Sequence, residues 1–232
     1  MLSSAVLSSK SFHEMKKQIV ALLLLLVSSY CSSENHYQIT LLRAAPGNLA
    51  VLINQAKDYK IQKKGNVSIM RHSQGDHWDL MLLEPVEKNT YMAIDFSSKA
   101  DFQHEFIATS KATWNEIKPM ADASGIFHIE MFHAVHGKSQ ELIKQRNMEN
   151  KYLTLTKRRA NIIFETSFGS DVDSFTIGYY KDMMAFASMP DLPSNVFSKA
   201  ATDAGFKSRD DIGLYLRELI LSHHDTIATN VN

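Results

Sequence analysis

Gly125-Ile126-Phe127-His128-Ile129-Glu130-Met131-Phe132-His133-Ala134-Val135-His136-Gly137-Lys138 is the stretch whose reading decides the rest of this chain. Apolar and polar residues alternate along it with the period of a β-strand. Phe127, Ile129, Met131 and His133 share one face, and His128 and Glu130 share the other. Gly137 breaks the pattern, and the residues from Lys138 to Leu155 follow at helical spacing. A His and a Glu two apart on an otherwise apolar strand can ligate a metal, or act as a base and its orienting partner. They can equally be a hydrogen-bonded pair that lines a water-filled cavity without reacting. His133 and His136 lie near the strand end, where helix-start or surface roles suit them.

The same pattern stands earlier in the chain. From His36 to Leu42, Tyr37, Ile39 and Leu41 alternate with Gln38 and Thr40, and Gly47 follows 90 residues before Gly137. Leu49, Leu52, Ile53 and Ala56 make Asn48 to about Lys60 an amphipathic helix, and strands are expected from Val67 to Ser73 and from Trp78 to Leu83. Gly75 and Asp79 between them have counterparts 94 residues later, in Gly169 and Asp173. Ordered matches of this kind indicate an internal duplication. The polar faces of the two leading strands, His128 with Glu130 and Gln38 with Thr40, are then expected to look into one barrel interior.

Between and after the repeats the expectations are simpler. Tyr91 to Phe96 reads as a short edge strand or extended loop. Phe102, Phe106, Thr113 and Ile117 predict a helix from Lys99 to Ile117, ended by Pro119. Val196, Phe197, Ala200, Ala201 and Ala204 form a helical stripe closed by Gly205. Ser208 and Asp211 resemble a capping box for a last helix whose apolar face runs through Ile212, Tyr215, Leu216, Leu219 and Ile220 to His223. The expected organisation is a signal at 1–33, repeats at 36–120 and 125–190, and C-terminal helices at 191–232.

A unit of strand, helix, strand, strand and helix is the ferredoxin-like arrangement. On the paired strand starts Tyr37 and Phe127, the paired glycines, and the hairpins around Gly75 and Gly169, the chain resembles the dimeric α+β barrel superfamily, with two ferredoxin-like repeats fused in tandem and a C-terminal helical extension. Met70-Arg71-His72-Ser73-Gln74-Gly75-Asp76, Asn147-Met148-Glu149-Asn150 and Ser222-His223-His224-Asp225-Thr226 look like an exported bacterial family of unassigned activity. The superfamily resemblance implies a cavity between sheet and helices or inside the barrel. Its members include haem-binding enzymes, cofactor-free oxygenases acting on aromatic substrates, and small-molecule-binding proteins. Haem or a divalent metal is therefore a cofactor to test for, with His128, Glu130 and His223 as candidate ligands or catalytic groups.

Two further polar groups are candidates for binding. Arg71, His72, His77, Trp78 and Asp79 surround a turn and could form a pocket mouth with Trp78 as a stacking wall, Arg71 or His72 holding an anionic group; a solvated hairpin loop with Trp78 as a core anchor is the alternative. His223, or His224 with Asp225, could reach the His128 and Glu130 cavity, or could cap a helix end. Arg146 and Glu149, three apart on a helix, suit a surface ion pair, and Lys157-Arg158-Arg159 a solvated basic turn.

With 25 Lys and Arg against 25 Asp and Glu, nothing in the charge argues for nucleic acid or an anionic membrane surface, and a small-molecule partner fits better. Met15-Lys16-Lys17-Gln18 followed by the apolar run Ile19 to Val27 and small residues has the build of a secretory signal, which predicts a periplasmic or extracellular protein started at Met15. Cys31 is the only cysteine, and Tyr30 before it departs from the small residue that a lipidation signal carries, which favours simple cleavage nearby over a lipid anchor. An uncleaved single-helix anchor is the remaining alternative. There is no Gly-rich phosphate loop, two-histidine zinc helix or serine elbow. Pseudo-symmetry makes a monomer sufficient and leaves a homodimer open.

Overall fold

The computed structural model describes residues 34–88 and 90–231; the expected signal and Cys31 lie outside them. The first repeat runs β1 (Asn35–Ala44), α1 (Leu49–Gln62), β2 (Ser68–Gln74), β3 (Leu80–Val86) and β4 (Ala100–Ser110), and α2 (Trp114–Ala123) links it onward. The second runs β5 (Ile126–Ala134), α3 (Ser139–Leu155), β6 (Ile162–Phe168), β7 (Ser174–Tyr180), α4 (Met183–Ala187), α5 (Ser194–Ala204), α6 (Asp211–Leu219) and β8 (Ile220–Asn230). The strands close an antiparallel barrel in the order β1-β3-β2-β8-β5-β7-β6-β4.

Each repeat is a four-stranded ferredoxin-like sheet, β4-β1-β3-β2 and β8-β5-β7-β6, and the sheets join at β2–β8 and β4–β6. The duplication reaches single atoms. Asp79 Oδ2 accepts the Ala44 N–H at 2.8 Å, and Asp173 Oδ2 accepts the Ala134 N–H at 2.8 Å. The Asp79 and Asp173 N–H groups donate to the Leu42 and Phe132 carbonyls, at 2.7 and 2.9 Å. Each aspartate thus satisfies a backbone donor where a leading strand leaves the sheet. Gly75 and Gly169 turn the two hairpins at φ +120° and +93°, a region that favours glycine.

One face of every strand fills the barrel. Tyr37, Ile39, Leu41, Met70, Met81, Leu83, Phe106, Ala108, Phe127, Ile129, Met131, Phe164, Phe175, Ile177, Tyr179 and Ala228 form a single buried cluster with Trp78, Val172 and the α2 residues Ile117 and Ala121. Burying each large apolar side chain contributes about 1.5–3 kcal/mol. The rings of Phe164 and Phe175 stack within it, nearly parallel with centroids 4.6 Å apart. A second cluster, with Leu42, Leu52, Ile69, Leu80 and Leu82, packs α1 on the outside of the first sheet, and a third, with Phe132, Leu142, Leu219 and Ile220, packs α3 and α6 on the outside of the second.

Three expectations are corrected. The expected barrel-interior face is the apolar one, so His128, Glu130, Gln38 and Thr40 point outward, towards the helices. Alternation fixes which residues share a face, and the bulk of Phe127, Ile129 and their neighbours decides which face is enclosed. The helix expected from Lys99 to Ile117 is β4 followed by α2: Phe102 and Phe106 fit helical spacing, but Phe102, His104, Phe106 and Ala108 also fit a strand, and β4 supplies the pairing that β1 and β6 need. A capping box of Thr113 and Glu116 starts α2, which continues through Pro119 to Ala123. Residues 191–232 are not all helical, since α6 ends at Leu219 and the chain passes directly into β8, which pairs with β5 and β2. Two open strand edges outweigh the local helical pattern around His223.

Candidate ligand site

The outer face of the second sheet carries four of the polar residues singled out above, His128, Glu130, His223 and Asp225. On β5 it shows His128, Glu130 and Phe132; opposite them stand Gly178, Thr176 and Ser174 on β7, and Ile227, Asp225 and His223 on β8. The structure therefore does bring His223 and Asp225 beside His128 and Glu130, as strand neighbours and not from a helix. His223 Nδ1 lies 3.9 Å from Asp225 Oδ2, and its ring meets Phe132 edge-on at 6.1 Å. Among the described residues no group of three or more His, Cys, Asp or Glu side chains is placed to hold a metal ion.

Above this face α3 contributes a buried charge. Arg146, 2% exposed, pairs with Glu149 through Nη2, approaches Glu130 Oε2 to 3.6 Å through Nη1, and donates from Nε to Gln145 Oε1 at 2.7 Å. Its guanidinium also stacks over Phe132 at 4.9 Å. Glu130 is further held by the Thr176 hydroxyl at 3.0 Å. Burial pushes the Glu149 carboxyl above the ordinary carboxylate range even though Arg146 pulls it down. The expected surface ion pair is thus an interior clamp between α3 and the sheet.

Towards the end of β7 the sheet opens into a cleft of about 620 Å³. Its apolar walls are Leu153, Tyr180, Phe186, Met189 and Pro190, and its polar lining is Lys157, Arg158, Arg159 and Lys181, with Ser124 and Ser188. Phe186 on α4 packs against both Tyr180 and His128, with ring centroids 5.2 Å apart in each case, so His128 borders the cleft through that ring. Tyr180 lies over Gly178, where an added Cβ would come within 2.8 Å of its ring. Burial, then the charge of Glu130, raises the Tyr180 hydroxyl above its usual range, so it stays a proton donor at neutral pH. A smaller pocket of about 170 Å³ between α3 and β6 is lined by Asn147, Asn150 and Asn161.

On the first repeat the matching face is covered, and what opens beside the cover is a smaller pocket of about 370 Å³ between α1 and residues 93–96. Gln38, which stands where the second repeat has His128, donates to the Met92 carbonyl at 2.6 Å and accepts the Met92 N–H at 2.8 Å. The extended segment 90–96 is thereby strapped onto the sheet, with Phe96 buried edge-on against Tyr59 at 5.9 Å. Glu84, in the place of Gly178 and 2% exposed, is held by the Tyr59 hydroxyl at 2.7 Å and Lys63 Nζ at 3.1 Å.

A barrel of two ferredoxin-like sheets joined edge to edge, with helices on the outside, decides the architecture. The chain has the dimeric α+β barrel fold, with both halves in one polypeptide. Three solved structures share this barrel. An anthrone oxidase-like protein matches with a TM-score of 0.55 at 11% identity, over 86% of this chain and 92% of its own. A candidate chlorite dismutase matches at 0.51 and 12%, over 86% and 96%. A candidate monooxygenase of Lactobacillus acidophilus NCFM matches at 0.50 and 9%, over 86% and 95%. No family model and no curated relative matches the sequence.

The remaining candidates lie elsewhere on the barrel. His72 and His224 share the inward parity of Met70 and Ala228, so the sheet separates them from His128 and Glu130. Trp78 is a core residue, 1% exposed, beside the His72 ring at 5.7 Å. His72 Nε2 accepts the Asp76 N–H at 3.1 Å, and exposed His77 bonds to Asp76 Oδ1 at 2.6 Å through Nδ1. Asp79 is the backbone clamp described above, and Arg71 is exposed. The expected pocket mouth therefore does not assemble with His128. What the sequence reading missed is Lys181, Tyr180 and Phe186: Lys157–Arg159 reads as a solvated turn until β7 brings Lys181 to it.

The lining offers Tyr180 and Met189 but neither histidine nor cysteine, the side chains that most often hold a haem iron. As built, this cleft suits an organic molecule better than haem. Among the described residues no helix is long and apolar enough to cross a membrane.

Proposed function

We propose that the protein is an exported small-molecule-binding protein whose ligand occupies the cleft of the second repeat. The cleft itself carries this reading: at about 620 Å³ it falls within the roughly 300–1,000 Å³ usual for ligand sites, while the barrel interior is filled by side chains and the first repeat's groove is strapped by residues 90–96. The N-terminal signal pattern supports export. The binding place differs from the barrel interior expected from alternation, but His128 remains at its edge and Glu130 two residues further along the same face.

Native mass spectrometry of the purified protein, with thermal shifts across a panel of small apolar and aromatic compounds, tests the reading. Ala185→Trp, which fills the cleft, should abolish any shift. No co-purifying molecule and no shift with any compound would overturn ligand binding and favour an envelope interaction protein.

A second reading is an oxygenase- or isomerase-type enzyme in which His128 acts as base, Glu130 orients the network and Tyr180 donates a proton. The contact of His128 with Phe186 favours it, and oxidase-like and monooxygenase descriptions occur among the structural neighbours. Oxygen uptake or product formation lost in His128→Ala, with ligand shifts retained, would establish it. The absorption spectrum and metal content of the same preparation test directly for haem or metal.

A further inference from the structure

We propose that the ligand is an organic anion: an aromatic or alkyl body carrying a carboxylate or sulfonate-like head. This rests on the cleft being the binding site and adds its chemical class. The argument is one of charge. The whole chain balances 25 basic against 25 acidic residues, yet this one cleft is lined by Lys157, Arg158, Arg159 and Lys181 and by no carboxylate. Among the described residues none of the four takes part in an ion pair within 4.0 Å, and only Arg158 feels a buried carboxylate nearby, that of Glu149 on α3.

The cations come from two separate elements that the fold brings together, the turn after α3 and the end of β7. Lys157 holds φ at +59°, a backbone region that non-glycine residues seldom adopt. Four like charges gathered at one cleft repel one another, and an anion in their midst removes that repulsion. Arg158 is the most fixed of them: its Nε donates to the Thr156 hydroxyl at 3.2 Å and its guanidinium stacks on Tyr152 at 5.2 Å. Thr156, fully buried, bonds back to the Tyr152 carbonyl at 2.9 Å and so steadies that arrangement. The opposite wall is Tyr180, Phe186 and Met189, apolar and polarisable, with the protonated Tyr180 hydroxyl as a donor. A charged head at the basic rim and a flat or flexible apolar body against the aromatic wall satisfy both halves. A neutral apolar compound would leave Lys157, Arg159 and Lys181 unanswered and Arg158 with only the pull of Glu149, and a polyanion without an apolar body would leave the wall wet.

Two probes that share one scaffold test this: 8-anilinonaphthalene-1-sulfonate, which carries the anionic head, and N-phenyl-1-naphthylamine, which lacks it. Fluorescence titration of the purified protein should give saturable sulfonate binding that weakens with salt. Arg158→Gln with Lys181→Gln should weaken it at least about tenfold while leaving the neutral probe within about twofold, because only the charge-assisted contacts are removed. Circular dichroism should show both variants folded, since the substituted groups lie at or near the surface. Equal binding of both probes, unaffected by the substitutions, would overturn the anion inference and leave the pocket standing. Binding of neither probe, or binding unaltered by Ala185→Trp, would instead overturn the cleft as the site. A second variant, Lys157→Gln with Arg159→Gln, should weaken the sulfonate alone in the same way; no effect from either pair would also refute the inference.

Discussion

Replacing Arg146 by methionine isolates the clamp between α3 and the second sheet. In the native protein its guanidinium answers Glu149 and Glu130 and lies over Phe132, with 2% of the side chain exposed. Methionine keeps the apolar stem and the contact with Phe132 but removes the cation of both carboxylates, leaving Glu149 only the weaker pull of Arg158. Removing one partner of a buried pair costs about 3–5 kcal/mol, which for a domain of this size lowers Tm by roughly 6–20 °C. The pH dependence has a definite sign. Burial already raises Glu149 in the folded state, so its protonation favours folding below the raised value, and that contribution is lost as pH rises through it. Without Arg146 the rise is larger, so the deficit of Arg146→Met should be greater at pH 8 than at pH 5. Thermal denaturation of wild type and variant at both pH values measures it, and adding Glu130→Gln and Glu149→Gln should recover most of the loss. A loss below about 1 kcal/mol at pH 8, or the same loss at both pH values, would refute the buried-clamp reasoning.

Three other outcomes follow from the same structure. Gly75→Ala should destabilise far more than Gly47→Ala: both have positive φ, but an added Cβ at Gly75 would stand 1.9 Å from the Asp225 carbonyl oxygen, whereas Gly47 has open space. Denaturant midpoints should show about 1 kcal/mol for Gly47 and several for Gly75. Asp79→Ala and Asp173→Ala should each cost about 1–3 kcal/mol in chemical denaturation, the effect of leaving the Ala44 or Ala134 N–H without its acceptor, with Asp173→Ala the costlier because it also loses the Ser139 hydroxyl at 2.8 Å. Lys63→Met should cost about 1–3 kcal/mol by leaving buried Glu84 with the Tyr59 hydroxyl alone, and Glu84→Gln in the same chain should restore most of it in thermal melts.

The duplication was legible because it rests on residues that one local geometry demands. Gly47 and Gly137 turn the chain at positive φ, and Asp79 and Asp173 bind backbone at matched strand exits. Spacing alone finds such residues. The strand β4 was not legible in this way, because Phe102 and Phe106 satisfy a period of four as well as a period of two, and only pairing with β1 and β6 decides between them. β8 was hidden for a related reason: Leu219 and Ile220 end a helical stripe and begin a strand without any intervening turn residue.

For the site, parity was readable and sidedness was not. His128 with Glu130 was rightly paired, but whether that pair looked inward depended on which face held the larger apolar volume around the whole barrel. The basic turn at Lys157–Arg159 acquires its character only when β7 delivers Lys181 and Tyr180 from more than twenty residues away. Proximity of that kind leaves no trace in local spacing.

The joining of β8 to β2 bears on how the chain is made. β2 ends at Gln74, and the strand that covers its edge begins at Ile220, so that edge stays open while the intervening residues are synthesised. Closure waits for β8, which follows the seven other strands in the chain, a non-local step of the kind that slows folding and exposes strand edges to wrong partners. Until β8 is in place the first sheet has an unpaired side, which makes β8 the latch of assembly and the first repeat the part most in need of protection before it closes.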